Sequence, residues 1–140
     1  MKILLAVDGS PYSRRMLAYL AAHDEWLGSL HDYSVLHVVP PVMLRAAAAL
    51  GTAIVKAHYD DSSAKVFKPI RSFFDKSGIS AKFVARVGVA GDVIAQTADK
   101  GGFALLMMGS HGHSALASLV MGSVATQVLA RCRVPLLLVR

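Results

Sequence analysis

The run Lys2-Ile3-Leu4-Leu5-Ala6-Val7-Asp8-Gly9-Ser10-Pro11 decides the fold class of this chain. Its apolar part, Ile3 to Val7, is too short for a helix and carries no alternating polar residue. That is the pattern of a strand buried on both faces. Asp8-Gly9 breaks the run. Ser10 then offers a side-chain oxygen to cap a helix, with Pro11 at the first helical position, where its missing N–H is not needed. A buried strand, a tight turn and a capped helix make the first half of a βαβ unit.

The rest of the chain repeats that unit. Met16, Leu17, Leu20 and Leu27 follow at helical spacing, with Gly28 as the stop. Tyr33 to Val39 reads as a second strand, ended by Pro40-Pro41. The alanine-rich stretch from Val42 to Gly51 fits no element clearly. A long helical region runs from about Ala53 to Lys76, where Pro69 is expected to kink or divide it and Gly78 to end it. Ile79 to Val87 reads as a third strand, Ala90 to Lys100 as a helix, Phe103 to Met108 as a fourth strand and Ser123 to Arg131 as a helix. Val134 to Val139 is the fifth strand, and Pro135 suits an edge position there. The alternation predicts an α/β fold: a five-stranded, parallel, doubly wound, Rossmann-like sheet in the order 3-2-1-4-5, with helices on both faces. With no linker or repeat, residues 1–140 read as a single domain.

Composition removes several function classes. Of 140 residues, 54% are hydrophobic and 17% charged, a balance that supports a buried core and not disorder. Residues 101–130 carry no formal charge, a stretch longer than the roughly 20 residues of a spanning helix. It is interrupted by Gly109-Ser110-His111-Gly112-His113-Ser114, so no membrane span is expected. The start resembles a signal peptide only as far as Asp8, which is too short. One cysteine, Cys132, excludes an internal disulfide and points to the cytoplasm. The net charge is +6, yet the fifteen Lys and Arg are scattered, without the interleaved aromatics of a single-strand binder. Nucleic acid is not the expected partner.

The loops after strands 1 and 4 are chemically richest, and in this strand order they flank the crevice where the winding reverses. The first holds Asp8, Gly9 and Ser10. The second holds Gly109-Ser110-His111-Gly112, then nine residues, then Gly122-Ser123. Glycine lets a phosphate approach main-chain N–H groups closely. A helix starting at Gly122-Ser123 would aim its unpaired N–H groups and positive dipole end at the same place, and the Ser123 hydroxyl could add a donor. On spacing alone, glycines that merely end a strand and let helices pack explain the pattern equally well.

Gly-x-x-Gly-x9-Gly-Ser resembles the phosphate- and ribose-binding motif of the ATP-binding universal stress proteins. The opening Lys2 to Ser10, Leu36-His37-Val38, Met108 to Gly112 and Val134 to Val139 agree with that resemblance, which spans nearly the whole chain. It implies a fold of the adenine nucleotide alpha hydrolase type and a stress-response regulatory protein that binds ATP, ADP or AMP, with Mg2+ or Mn2+ as a companion ion. Gly109, Gly112, Gly122 and Ser123 would hold phosphates and ribose. Asp8 and the Val38 backbone would hold the adenosine portion, and Val124 would lend another N–H. The resemblance also implies a homodimer, for which the apolar strand Val134 to Val139 is the expected contact. Two features depart from the family: His113 to Met121 contains no lysine or arginine, which favours AMP or ADP over ATP, and Thr126 stands where a glutamate would complete a capping box with Ser123.

The alternatives are an interaction protein of the same fold without nucleotide, or a slow ATP-using enzyme. No catalytic residue is assigned. Ser110, Ser114 and Ser118 have no evident base, and the lysine of a P-loop is missing, so weak hydrolysis is the most that is expected. His111 and His113 lack a third metal ligand nearby, so no protein metal site is expected. Cys132 and His37 read as packing residues.

Overall fold

The computed structural model describes residues 1–114 and 120–140. Five strands, β1 (Lys2–Ala6), β2 (Asp32–Val39), β3 (Ala81–Val87), β4 (Leu105–Gly109) and β5 (Leu136–Val139), form one parallel sheet in the order β3-β2-β1-β4-β5. The expected order is the observed one. Ile3 stands opposite Tyr33 on one side and Leu105 on the other, so β1 is central. The connecting helices are α1 (Pro11–Ala22), α2 (Asp24–Leu27), α3 (Leu44–Leu50), α4 (Thr52–Ser77), α5 (Ala90–Lys100) and α6 (Ser123–Arg131).

The continuous apolar run of β1 serves two cores at once. Successive side chains point to opposite faces of a strand. Ile3, Leu5 and Val7 therefore pack with Met16, Leu17 and Leu20 of α1 and Phe67, Ile70 and Phe74 of α4. Leu4 and Ala6 pack on the other face with Ile94 and Ala98 of α5 and Ala125 and Val128 of α6. Ile3, Leu4 and Leu5 are at most 1% exposed. Truncating any such leucine costs about 2–5 kcal/mol.

Local chemistry moves several boundaries from their expected places. The first helix does not run on to Gly28. The His23 ring nitrogen Nδ1 bonds the Tyr19 carbonyl at 2.8 Å, the acceptor its own N–H would need, and that N–H turns to Leu20 instead. The chain restarts as α2. Pro69 does not divide α4, which runs through it as one helix. The carbonyl that Pro69 leaves without an intrahelical donor belongs to Lys65, and both residues are exposed, so water can serve it. The alanine-rich stretch contains α3, which buries no side chain. β3 begins at Ala81 and β4 at Leu105, each two residues later than expected. Pro135 precedes β5 rather than lying in it, and its carbonyl accepts from Leu106 N–H at 2.9 Å. Among the described residues, no helix is long and apolar enough to cross a membrane.

Candidate functional site

From β1 the chain winds outward to β2 and β3, and from β4 outward to β5, so the carboxyl ends of β1 and β4 mark the reversal. A cavity of about 330 Å³ opens there, on the side of the sheet that α5 and α6 cover. Its floor is apolar: Ala6, Leu36, Val38 and Met108 from the sheet, with Ile94 from α5. Its rim is built from the two loops chosen on sequence grounds. Asp8, Val38, Gly109, Gly112, Gly122, Ser123 and Val124 all line this one cavity.

Asp8 both shapes its turn and faces the cavity. Its Oδ1 accepts from Ser10 N–H at 2.9 Å and from the Ser13 hydroxyl at 3.0 Å, while Ser13 Oγ accepts from Asp8 N–H at 3.0 Å. Ser10 caps α1, its hydroxyl accepting from Ser13 N–H at 3.4 Å, with Pro11 at the first position. These bonds lock one carboxylate oxygen. The other, Oδ2, points toward Gly112, where an added Cβ would lie 2.7 Å away. Gly9 supplies the positive φ of 77° that the turn needs. A ring nitrogen of His113, Nε2, bonds the Asp8 carbonyl oxygen at 2.7 Å and ties the β4 loop to the β1 loop.

The three motif glycines answer to different neighbours. A Cβ on Gly109 would meet Tyr12 Cβ at 2.5 Å, so this glycine lets α1 pack against the end of β4. A Cβ on Gly122 would stand 3.1 Å from His111 Cα and Ser110 O, and Gly122 N–H is already given to Ser110 O at 2.7 Å. Only at Gly112 is the nearest neighbour a cavity-facing polar atom, Asp8 Oδ2.

The start of α6 differs from expectation in its cap. Gly122, not Ser123, is the N-cap, and among the described residues no side chain caps the helix. Thr126 sends both its N–H and its hydroxyl to Gly122 O, at 3.0 and 2.9 Å. The N–H groups of Ser123, Val124 and Ala125 precede the first intrahelical bond, and all three residues line the cavity. They form an anion-seeking edge at the dipole's positive end. Across the cavity, the β1–β2 ladder ends at Ala6 opposite Leu36, whereas β2 continues beside β3 to Val39. Among the described residues, no strand therefore pairs with the β1 side of Val38.

Sequence reasoning missed Ser13, His113 as a loop clasp, and most of the floor. The floor was recoverable: Leu36 and Val38 share a face by strand alternation, as do Ala6 and Met108 through the β1–β4 register. Ser110 is buried and its hydroxyl lies 2.8 Å from His111 Nδ1. His37 is buried, with Nδ1 bonded to Val7 O at 2.8 Å, a packing role as expected. Ser118 lies outside the described residues. Among the described residues, no group of three or more His, Cys, Asp or Glu could hold a metal ion.

Known proteins are similar to this chain in sequence and in fold. The universal stress protein Slr1230 of Synechocystis is 29% identical over 139 residues, 99% of this chain but 42% of that protein, so the chain spans less than half of it. The universal stress protein YxiE of Bacillus subtilis is 26% identical over 150 residues, covering 99% of this chain and 98% of YxiE. The solved structure of the hypothetical protein MJ0577 superposes with a TM-score of 0.83 at 24% identity, covering 99% of this chain and 94% of that one. The Archaeoglobus fulgidus universal stress protein in complex with dAMP gives 0.70 at 21% identity, over 100% and 98% of the two chains. An Arabidopsis thaliana family member with AMP bound gives 0.69 at 14%, over 99% and 90%. The sequence model of the universal stress protein family matches residues 1–140, and the chain belongs to that family.

Proposed function

We propose that the chain binds an adenine nucleotide in the cavity beside β1 and β4 and acts as a regulatory protein through the bound state. One observation carries the reading: an apolar floor and a rim of unpaired main-chain groups meet at the reversal of the winding. The floor suits a purine ring, and the open β1-side edge of Val38 suits its hydrogen-bonding edge. Asp8 Oδ2 would accept from ribose hydroxyls, and the N–H groups of Ser123, Val124 and Ala125 would face the phosphates. At about 330 Å³ the cavity is at the small end of the usual range of about 300–1,000 Å³, which fits a nucleoside better than a whole triphosphate. No lysine or arginine is among the described lining residues, so phosphate charge would be met by amide dipoles. A bound Mg2+ or Mn2+ would neutralise phosphate charge from the phosphate side. The dAMP-bound and AMP-bound relatives support a monophosphate as the first ligand to test.

Denaturing the purified protein and assaying released small molecules, followed by melts with AMP, ADP and ATP with and without magnesium, tests the reading. A ligand at 100 times its Kd should add about 2.7 kcal/mol. Neither released nucleotide nor a shift with any of the three would reject nucleotide binding and leave an interaction protein of this fold. We further propose a homodimer through β5, whose four residues Leu136 to Val139 pair, among the described residues, with β4 on one side only. Leu137→Lys should then shift the mass in solution to that of one chain; an unchanged mass would reject β5 as the contact.

A further inference from the structure

The far edge of the sheet carries a second feature, separate from the nucleotide cavity. Among the described residues β3 pairs with β2 alone, so its outer backbone side faces no described strand. Because Gly88 N–H donates inward to Val39 O, strand alternation sends the N–H and C=O groups of Phe83, Ala85 and Val87 outward. Beside this edge, an open groove follows α4 from Asp60 to Lys76. Ser63, Lys68, Arg71 and Lys76 line it, with Asp75 and with Asp60, whose carboxylate is engaged by Lys56. The Arg71 guanidinium lies 4.0 Å from the centre of the Phe83 ring, which joins groove to edge.

Two observations identify what this surface is shaped for. The Ser63 hydroxyl is buried, with the residue 5% exposed, and among the described residues it has no hydrogen-bond partner although it lines the groove. A buried hydroxyl left unmet is unfavourable, so a ligand that satisfies it is favoured. The second is length. Asp60 to Lys76 spans about 24 Å at the helical rise, and seven-residue β3 spans about 23 Å. A small anion would fill a fraction of this; an extended peptide fills all of it.

Charge selects the peptide. Lys68, Arg71 and Lys76 outnumber Asp60 and Asp75 on the α4 side, and Lys82 and Arg86 project on the opposite face of β3, where Val84 joins the α5 core. Among the described residues none of these five has an ion-pair partner. Cations on an edge strand repel another cationic strand, including the β3 of a second copy. They admit an acidic one. Phe67 is buried and offers no stacking platform for bases, which disfavours a single-stranded nucleic acid.

We propose that β3 and the α4 groove receive an acidic, extended segment of a partner polypeptide, which adds a sixth strand to the sheet. The probe is a fluorescein-labelled heptapeptide of alternating glutamate and valine, titrated into the full chain at low salt. A lysine–valine peptide and an eight-nucleotide single-stranded DNA are run beside it. The glutamate peptide should bind at least tenfold more tightly than the lysine peptide and the DNA. Its binding should slow amide exchange at Phe83, Ala85 and Val87 at least tenfold, leaving Val84 and Arg86, already turned toward β2, unchanged. The double variant Lys82→Glu/Arg86→Glu should lose at least tenfold in affinity. Ala85→Pro, which removes one outward N–H at an edge that tolerates proline, should do the same. An unchanged melting temperature for either variant assigns its loss to the surface. Binding without protection of the three outward amides, or DNA binding as tightly as the acidic peptide, would overturn the proposal.

Discussion

Replacing Gly112 with alanine tests whether the two loops at the cavity form one unit. The new Cβ would lie 2.7 Å from Asp8 Oδ2, well inside the roughly 3.5 Å at which non-bonded heavy atoms rest. The carboxylate has little room to turn, because Oδ1 is held by Ser10 N–H and by the Ser13 hydroxyl at 2.9 and 3.0 Å. Relief therefore breaks a hydrogen bond to a charged acceptor, worth about 1.5–3 kcal/mol, and the part-buried setting argues for the lower end. That predicts a drop of about 5 °C in melting temperature for a chain of this size. Nucleotide affinity should fall at least about tenfold, since 1.4 kcal/mol is a factor of ten. Denaturant unfolding gives the stability change, and anisotropy with a fluorescent AMP gives the affinity. The decisive measurement is a double-mutant cycle with Asp8→Ala, which removes the atom that the methyl meets. In that background Gly112→Ala should cost less than about 0.5 kcal/mol, a coupling of about 1 kcal/mol or more. Equal costs in both backgrounds would refute the geometry.

Two other sites yield separable outcomes. Gly9 has a φ of +77°, and an added Cβ would make only ordinary contact, 3.4 Å from Val66, so Gly9→Ala should cost about 1–2 kcal/mol through backbone strain. Gly9→Asn should cost less in the same denaturant assay, since asparagine tolerates positive φ better than alanine. Tyr33 is buried and its hydroxyl donates to Leu27 O; burial pushes its pKa from 10.0 to about 12. The unfolded chain releases this proton from about pH 10 while the native state keeps it, so stability falls as pH rises from 10 toward 12 and is untouched by this group at lower pH. Tyr33→Phe should lose about 1 kcal/mol at pH 7 from the missing bond and decline less steeply than the parent between pH 10 and 12, as read by unfolding at each pH. A parallel decline in both proteins would show that Tyr33 is not the group responsible.

Strand order and the location of the cavity were readable in the sequence because both follow from simple periodicities. Five short apolar runs separated by helical spacings leave few topologies, and the reversal between β1 and β4 places the crevice. What sequence could not supply is competition among local hydrogen bonds. That His23 would take the Tyr19 carbonyl, breaking the first helix, depends on a ring rotamer. That Gly122 rather than Ser123 would cap α6 depends on Gly122 N–H finding Ser110 O. The motif also conceals a division of labour. Gly109 is glycine for Tyr12, whereas Gly112 leaves room for the Asp8 carboxylate, and spacing alone treats them alike. α3 was obscure for a different reason: it buries no side chain, so it has no apolar face for a periodicity to reveal.

The floor of the cavity makes a stricter demand on the nucleotide reading than the rim does. Along the α5 and α6 face of β1, Leu4 fills its place in the core, but the next residue on that face, Ala6, is small and lines the cavity. The space is thus created by a missing side chain at the point where the sheet meets the polar loops. Ala6→Leu should fill that space without touching Asp8, Gly112 or the first N–H groups of α6. Extra methylenes in a packed core cost about 1–3 kcal/mol, but this site already has a void, so the fold should stay at the lower end. If a purine lies on the floor, AMP binding should disappear while inorganic pyrophosphate, which needs only the rim, binds as before. Calorimetric titration of both ligands into both proteins separates the cases. AMP bound undiminished by Ala6→Leu would mean that the base lies elsewhere and that the apolar floor has no part in recognition.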